Sequence, residues 1–592
     1  MKIFDTIRHR VEFCVVGGGL AGLCAAVSAA RHGRSVALIQ DRPMLGGNAS
    51  SEIRMWVGGA HGKNMRETGL IEELRLENYW RNPHKNYSIW DSIMLEMAQK
   101  EPNLSLFLNC SCMDGEMEGN RLKSITCWQL TTQKFHKFEA QLFADCSGDS
   151  VLAPITGALY RMGREGREEY DEDIAPEQAD SHTMGMSLLI QAREYTEEHR
   201  FTAPSWAKHF TKSDLPFRIP DMTNDRENFW YLELGGMENT IDDTENIRDE
   251  LLRVAYGIWD FVKNDPENYE KNKNYDIDWI GILPGKRESR RYIGDYVMTQ
   301  HDVRAEGRFD DLIAYGGWSM DDHHPGGLYT SQEPTIYHPA PSPYGIPYRC
   351  LYSKNIENLM FAGRNISVTH TALSSARVMA TCSLLGQAMG TAAALALREN
   401  ITPREVYTKG YIHELQQTLM RDDCYLPFYT RQISALTAGS TLLSDMENAE
   451  NLRNGIDRTV GDTSNYASGA IGCYAEYQLN TPSYVQSVRL VLDSDLNLNT
   501  LPQREHDLGD NIFMLANIRF GWEPSHPPKS LLRDLDIQYT LSDGTVITES
   551  VRENHQRLLR VPCNKEVLAI RLVPLRTWGS QNVSIYAFDI EE

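Results

Sequence analysis

The stretch EFCVVGGGLAGLCAAVSAARHG at residues 12–33 constrains this chain more than any other. Residues 12–16 read as a short buried strand, glycines follow, and a run of small residues then reads as a helix that Gly33 ends. Gly17, Gly19 and Gly22 stand in G-x-G-x-x-G spacing. In that spacing the first glycine permits a tight turn and the second lets a diphosphate approach the backbone. The third lets helix and strand pack closely. The N–H groups and positive dipole of the helix N-terminus then face the phosphates. A second buried strand, SVALIQ, follows at the distance a β-α-β unit requires, which separates the motif from a chance glycine turn. The residue expected to bind ribose hydroxyls falls at Gln40 or Asp41, and a glutamine amide can make such a bond as well as a carboxylate.

A chain of 592 residues exceeds what one hydrophobic core normally serves, so two or three domains are expected. A net charge of −22, with no long Lys/Arg stripe, argues against a nucleic-acid partner, because a phosphate backbone would be repelled. We find no apolar run of the roughly 18–20 residues that a membrane helix needs, and no signal-peptide pattern at the start. The eleven cysteines are an odd number, and several lie inside apolar runs, which suits reduced thiols in a cytoplasmic protein. Cys110 and Cys112 lie too close for iron–sulfur ligand spacing, and no metal site is expected.

The segment DRPMLGGNASSE after the second strand carries a second glycine pair, Gly46 and Gly47, followed by Asn48. It resembles the pattern of the glutathione-reductase-like FAD/NAD(P)-binding superfamily, where such a pair passes close to the diphosphate and flavin. Residues 104–146 alternate as short strands with turns and resemble that superfamily's inserted β-meander. They end in LFADCSGDS, where the resemblance implies a second cofactor contact at Ser147, Gly148 and Asp149. Residues 357–396 look like the closing segment of the FAD-dependent oxidoreductase family. There a strand LMFAG delivers Gly363, Arg364 and Asn365 to the cofactor, and a long small-residue helix follows. The resemblance implies FAD as the cofactor and places the helix start, with Thr369 and His370, at the flavin.

His370 is the expected proton-handling group, because an imidazole titrates near neutrality. His61, in WVGGAHG close after the second glycine pair, is the alternative, and Arg290 in PGKRESRRYIGDY is a candidate acid or orienting group. The WSMDDHHPGG turn holds Asp322, His323 and His324, but adjacent histidines point apart and favour no shared metal. No G-x-S-x-G elbow supports a hydrolase. The expected organisation is a first part of an α/β, Rossmann-like FAD-binding domain at 1–164 and a substrate or cap region at 165–280, polar, aromatic and irregular in sequence. A closing part with a linker helix follows at 281–440, and a C-terminal antiparallel β-sandwich, similar to galactose-binding-like modules, at 441–592. Asp543–Gly544 marks a hairpin inside that last region.

The functional expectation is an FAD-dependent oxidoreductase acting on a small polar molecule such as a sugar, polyol or glycoside, with hydride passing to flavin N5. Two alternatives stand beside it: a flavin-dependent reductase or dehydrogenase of a C–C bond next to a carbonyl, and a carbohydrate-binding protein whose flavin domain is inert. The partners expected are a small-molecule substrate, an electron acceptor the sequence does not identify, no nucleic acid, no membrane, and a homo-oligomer as an open option.

Overall fold

The computed structural model describes all residues except 1–3, 221, 223–227, 503–513 and 515. Among the described residues it resolves two compact units. The first comprises residues 1–60, 85–415 and 511–523; the second comprises 61–84, 416–510 and 524–592. These units cut across the expected segments: residues 61–84 leave the nucleotide-binding part, and 416–440 join the C-terminal strands.

In the first unit, strand β1 (Thr6–Val16), helix α1 (Leu20–Arg31) and strand β2 (Val36–Ile39) form the expected β-α-β unit. β1 begins six residues earlier than its buried stretch suggested, because residues 6–11 pair with 135–140 in half-exposed register. Strand β3 (Leu104–Phe107) joins β2 in parallel, and β4 (Cys110–Glu118), β5 (Arg121–Gln129) and β6 (Lys134–Asp145) form the antiparallel meander. The first half of β6 pairs with β5, and its last residues pair in parallel with a late strand at Leu359–Phe361. The parallel order is therefore β3-β2-β1-β6 with that late strand alongside β6, and the loops at its carboxyl end meet in one place.

The middle region is less irregular than its sequence suggests. Helix α3 (Thr244–Asn264) buries Ile247, Leu251, Val254, Ile258 and Trp259, a stripe at helical spacing, against Met186, Leu188 and Phe229. Further along, strand β7 (Met320–His323) pairs antiparallel with β8 (Thr335–His338). The late strand, β9 (Leu359–Phe361), leads through a turn to helices α4 (His370–Ala376) and α5 (Met379–Glu399).

α5 corrects one expectation. It is long and apolar enough to cross a membrane by composition, with a mean hydropathy of 1.3, but 94% of that window is buried inside the protein. It packs on α1 through its glycines. A methyl on Gly386 or Gly390 would strike the carbonyl oxygen of Ala21 or Ala25, and Thr391 Oγ1 lies 2.8 Å from Ser28 Oγ. Its apolar character serves close helix–helix packing.

In the second unit, helix α2 (Leu70–Arg81) places Leu76 and Tyr79 in a core built mainly by strands. Those strands are β10 (Thr441–Ser444), β11 (Ala467–Ala470), β12 (Ala475–Leu492), β13 (Leu532–Thr540), β14 (Val546–Val551), β15 (Leu558–Thr577) and β16 (Asn582–Glu591). They form an antiparallel sheet in the order β11-β16-β12-β15-β13-β14, with β10 on β12. The expected hairpin lies between β13 and β14, where Gly544 adopts φ +82° and Asp543 Oδ1 accepts the Thr545 N–H at 2.9 Å. Residues 61–84 are tied in by Arg458, whose guanidinium donates to the carbonyls of Asn64 (3.1 Å) and Arg66 (2.9 Å).

Candidate functional site

Three loops of the first unit converge at the carboxyl end of the parallel sheet. The first is the fingerprint itself. Gly22 lies so close to Gly17 that an added methyl would strike the Gly17 carbonyl, which is the helix–strand approach the motif requires. The second loop carries Gly46 and Gly47. Gly46 N–H donates to the Gly18 carbonyl at 2.8 Å, and an added methyl on Gly19 would meet nothing nearer than Gly47 Cα at 4.0 Å. At Gly19 and Gly47 the two loops thus face each other through backbone, with no side chain within 4 Å of either added methyl. The third loop brings Gly363 against Ala21, with 3.5 Å from an added methyl to Ala21 Cβ.

This cradle fits a dinucleotide such as FAD. Backbone N–H groups and a helix start face a gap free of side chains, and buried polar atoms at its rim lack partners. Asn365 is fully buried, yet its Oδ1 accepts no hydrogen bond, while its Nδ2 donates to the Asp145 carbonyl at 3.3 Å. Arg364 Nε is likewise buried and unpartnered. Gly17, Gly19, Gly22, Gly46, Gly47, Gly363, Arg364 and Asn365 are therefore brought together.

Gln40 has a different occupation from the ribose contact expected of it. Its Oε1 accepts the Gly18 N–H at 2.7 Å and its Nε2 donates to the Met44 carbonyl at 3.2 Å, so it holds the first two loops in register. Asp41 is exposed at the same strand end. Asn48 donates to the Lys286 carbonyl at 3.1 Å. Ser147 folds back onto Asp145, its Oγ donating at 2.6 Å. Beyond Gly148, Asp149 is a hub: its carboxylate takes Arg364 at 2.6 Å, Lys286 at 2.9 Å and Ser289 Oγ at 2.7 Å. Burial would raise its pKa, but the two cations outweigh that and hold it at about 2.

Beyond the cradle, β7 separates two clusters of charge, because successive side chains on a strand face opposite ways. On one side stands His370, the first residue of α4. Its Nδ1 lies 2.8 Å from Glu288 Oε2 and its Nε2 lies 3.4 Å from Asp322 Oδ1. Glu288 also pairs with Arg291 at 3.2 Å, and Arg291 pairs with Glu165 at 2.8 Å. Burial opposes a charge on the ring, yet Glu288 and Asp322 prevail and push its pKa up from 6.5 to about 10. His370 is thus an imidazolium at neutral pH, and both ring N–H groups donate. Asp322 is the one member of this chain that solvent reaches, its side chain 23% exposed against 5% or less for the others.

On the other side of β7, His323 sits between Glu233 (2.5 Å) and Asp321 (3.2 Å). Glu233 also pairs with Arg287 at 3.4 Å, and Asp321 with Arg377 at 3.2 Å. Burial disfavours the Glu233 carboxylate, but Arg287 and His323 bring its pKa down to about 2.

The R-E-S-R-R stretch divides between these environments. Arg287 and Glu288 go to opposite clusters and Arg291 joins Glu288. Arg290 joins neither cluster: its Nη1 donates to the Asp149 carbonyl at 3.5 Å and its Cζ lies 5.4 Å from the Tyr160 ring centroid. His61 is half-buried and is assigned to the second compact unit, whereas His370 is assigned to the first. His324 accepts the Gly326 N–H at 3.0 Å. Among the described residues no three His, Cys, Asp or Glu side chains are arranged to hold a metal ion. The sequence had singled out Glu288, Asp322 and His323 within their stretches. It offered no sign of the roles of Glu165 and Glu233, which lie in no motif, or of Arg377, which stands inside the 357–396 segment.

The chain matches the family described as FAD dependent oxidoreductase over residues 12–419. No curated protein matches its sequence. Among solved structures it is similar to a geranylgeranyl bacteriochlorophyll reductase-like protein from Thermoplasma acidophilum, at 12% identity over 70% of this chain and 86% of that one, with a TM-score of 0.32. It is also similar to p-nitrophenol 4-monooxygenase from Pseudomonas putida DLL-E4, at 11% identity over 72% and 91% of the two chains, with a TM-score of 0.31. A smaller part, 26% of the chain, is similar to 96% of a family 32 carbohydrate-binding module from Streptococcus pneumoniae EndoD, at 17% identity and a TM-score of 0.19.

Proposed function

Since the chain belongs to the FAD dependent oxidoreductase family, we propose that it oxidises a hydroxyl group on a small polyhydroxylated molecule, a sugar, polyol or glycoside, beside β7. FAD held by Gly17, Gly19, Gly46, Gly47 and Asn365 would supply the hydride-accepting chemistry. The observation that carries the reading is the chain Glu165–Arg291–Glu288–His370–Asp322, which is buried except at Asp322.

Asp322 is the group in that chain placed to take the proton of a substrate hydroxyl. His370, already protonated, steadies the Asp322 carboxylate and orients it. This moves the base from His370, where the sequence put it, to the carboxylate beside it: a ring whose pKa is about 10 has no vacancy for a proton at neutral pH. Walls made of paired carboxylates and arginines suit a ligand rich in hydroxyls better than an apolar one. No disulfide joins any of the eleven cysteines, which supports a reducing, cytoplasmic location.

The charged His370 also favours a second reading. An imidazolium can donate, so the same chain could protonate carbon during reduction of a C–C double bond next to a carbonyl.

Anaerobic titration of the FAD-loaded protein with sugars and polyols separates the two. Bleaching of the flavin bands by a member of the panel, slowed roughly 10²–10⁴-fold in Asp322→Asn, supports the first. No bleaching, together with reoxidation of the reduced protein by unsaturated acids, transfers support to the second. The absence of both responses sinks both readings.

A further inference from the structure

The face of β7 that bears Asp321 and His323 carries more positive charge than its carboxylates can balance. Arg287 is matched by Glu233 and Arg377 by Asp321. Arg218 adds a third guanidinium, its Cζ 5.0 Å above the Trp230 ring and 5.9 Å above Tyr231, and among the described residues no carboxylate pairs with it. Trp230 belongs to the same cluster: its ring meets His323 edge-on at 5.8 Å, and its carbonyl accepts from Arg287 at 2.8 Å. Three guanidiniums thus stand against two carboxylates before His323 is counted. Buried polar atoms remain unpartnered there as well, namely Nε of Arg218, Nε of Arg377 and Oδ1 of Asp321. Buried charge is normally matched by a counter-charge.

The cluster has an open side and a cofactor side. Tyr337, the cross-strand partner of Asp321 on β8, is 54% exposed, and its hydroxyl lies in the field of Arg218, Arg287 and Arg377 as well as Asp321. Toward the cradle, Arg287 directly follows Lys286, whose carbonyl accepts from Asn48 of the second glycine loop.

We infer that the substrate is an anion, a polyhydroxylated molecule ending in a carboxylate or phosphate that Arg218 and Arg377 bind on the Tyr337 side of the cluster. The inference rests on the proposed oxidation beside β7 and narrows its substrate class. A planar carboxylate or a phosphate can accept from two guanidinium N–H groups at once, and it supplies the charge the cluster lacks.

Calorimetric titration of the FAD-loaded full chain tests this without relying on turnover. The probes are D-gluconate, D-glucitol 6-phosphate and uncharged D-glucitol. At least one anion should bind tenfold or more tightly than D-glucitol, and the stronger of the two identifies carboxylate or phosphate. Arg218→Gln should remove that advantage, and Arg218→Lys should restore part of it. Because Arg218 is half-buried and among the described residues pairs with no carboxylate, its loss should leave the fold and the FAD content intact, which the flavin spectrum of the variant checks. Equal binding of glucitol and both anions would overturn the inference, as would an anion preference that survives in Arg218→Gln. Preferred anion binding with no flavin bleaching would uphold the anion site and defeat the oxidation reading instead.

Discussion

Gly19 and Gly22 belong to one motif but answer to different constraints. A methyl on Gly22 would collide with the Gly17 carbonyl, whereas one on Gly19 meets only Gly47 Cα at 4.0 Å. The fold therefore tolerates Gly19→Ala, and the methyl instead projects into the gap where a diphosphate would lie. We expect Gly19→Ala to fold with an unchanged far-ultraviolet spectrum and to bind FAD at least tenfold more weakly, about 1.4 kcal/mol or more, by fluorescence titration of the apoprotein. Undiminished FAD affinity would show that the cradle is not where the cofactor binds. Much of this was legible in the residues, because spacing alone places the three glycines. The role of Gln40 was not: its amide is used by Gly18 and Met44, and only the folded loops show that those groups need it.

α2 shows the same division for an element. Its residues lie within the expected nucleotide-binding part at 1–164, and nothing local says which core they enter. Folded, it buries Leu76 and Tyr79 among Tyr477, Leu490, Leu535 and Ile585 in the second unit. Leu76→Ala should cost about 2–5 kcal/mol, because it leaves a cavity in a closed apolar core. The loss should appear in the melting of the C-terminal strands, followed by hydrogen exchange in β12 and β15, while exchange in β1 and α1 is unchanged. Equal destabilisation of β1 and α1 would contradict the partition of the chain into these units. α5 carries the converse lesson. Its small apolar residues were read correctly as close-packing, but their run is long enough to imitate a membrane span until Gly386 and Gly390 are seen against α1.

For the molecule as a whole, buried charge links stability to pH. The His370 ring keeps its proton up to about pH 10 in the folded chain, whereas an unfolded histidine releases it near 6.5. Between those values the folded state binds the extra proton, so this contribution is complete below pH 6.5 and is lost as pH rises through 10. Thermal melts of wild type and His370→Gln should therefore differ most below pH 6.5 and converge toward pH 10. A difference that widens with pH would mean that the ring is neutral when buried.

The β-α-β unit, the approach of backbone to a dinucleotide, the meander and the antiparallel character of the C-terminal strands were all readable along the chain. Each is written in residues near one another in the chain, as glycine spacing, small-residue runs and alternation. That 61–84 serve the second core, that Arg291 rather than Arg290 joins Glu288, and that β7 splits the charges into two clusters emerge only when distant segments fold together. Glu165, Glu233 and Arg377 reach those clusters from distant parts of the chain, and the free energy of burying a charge depends on the partner found there, which no local pattern encodes.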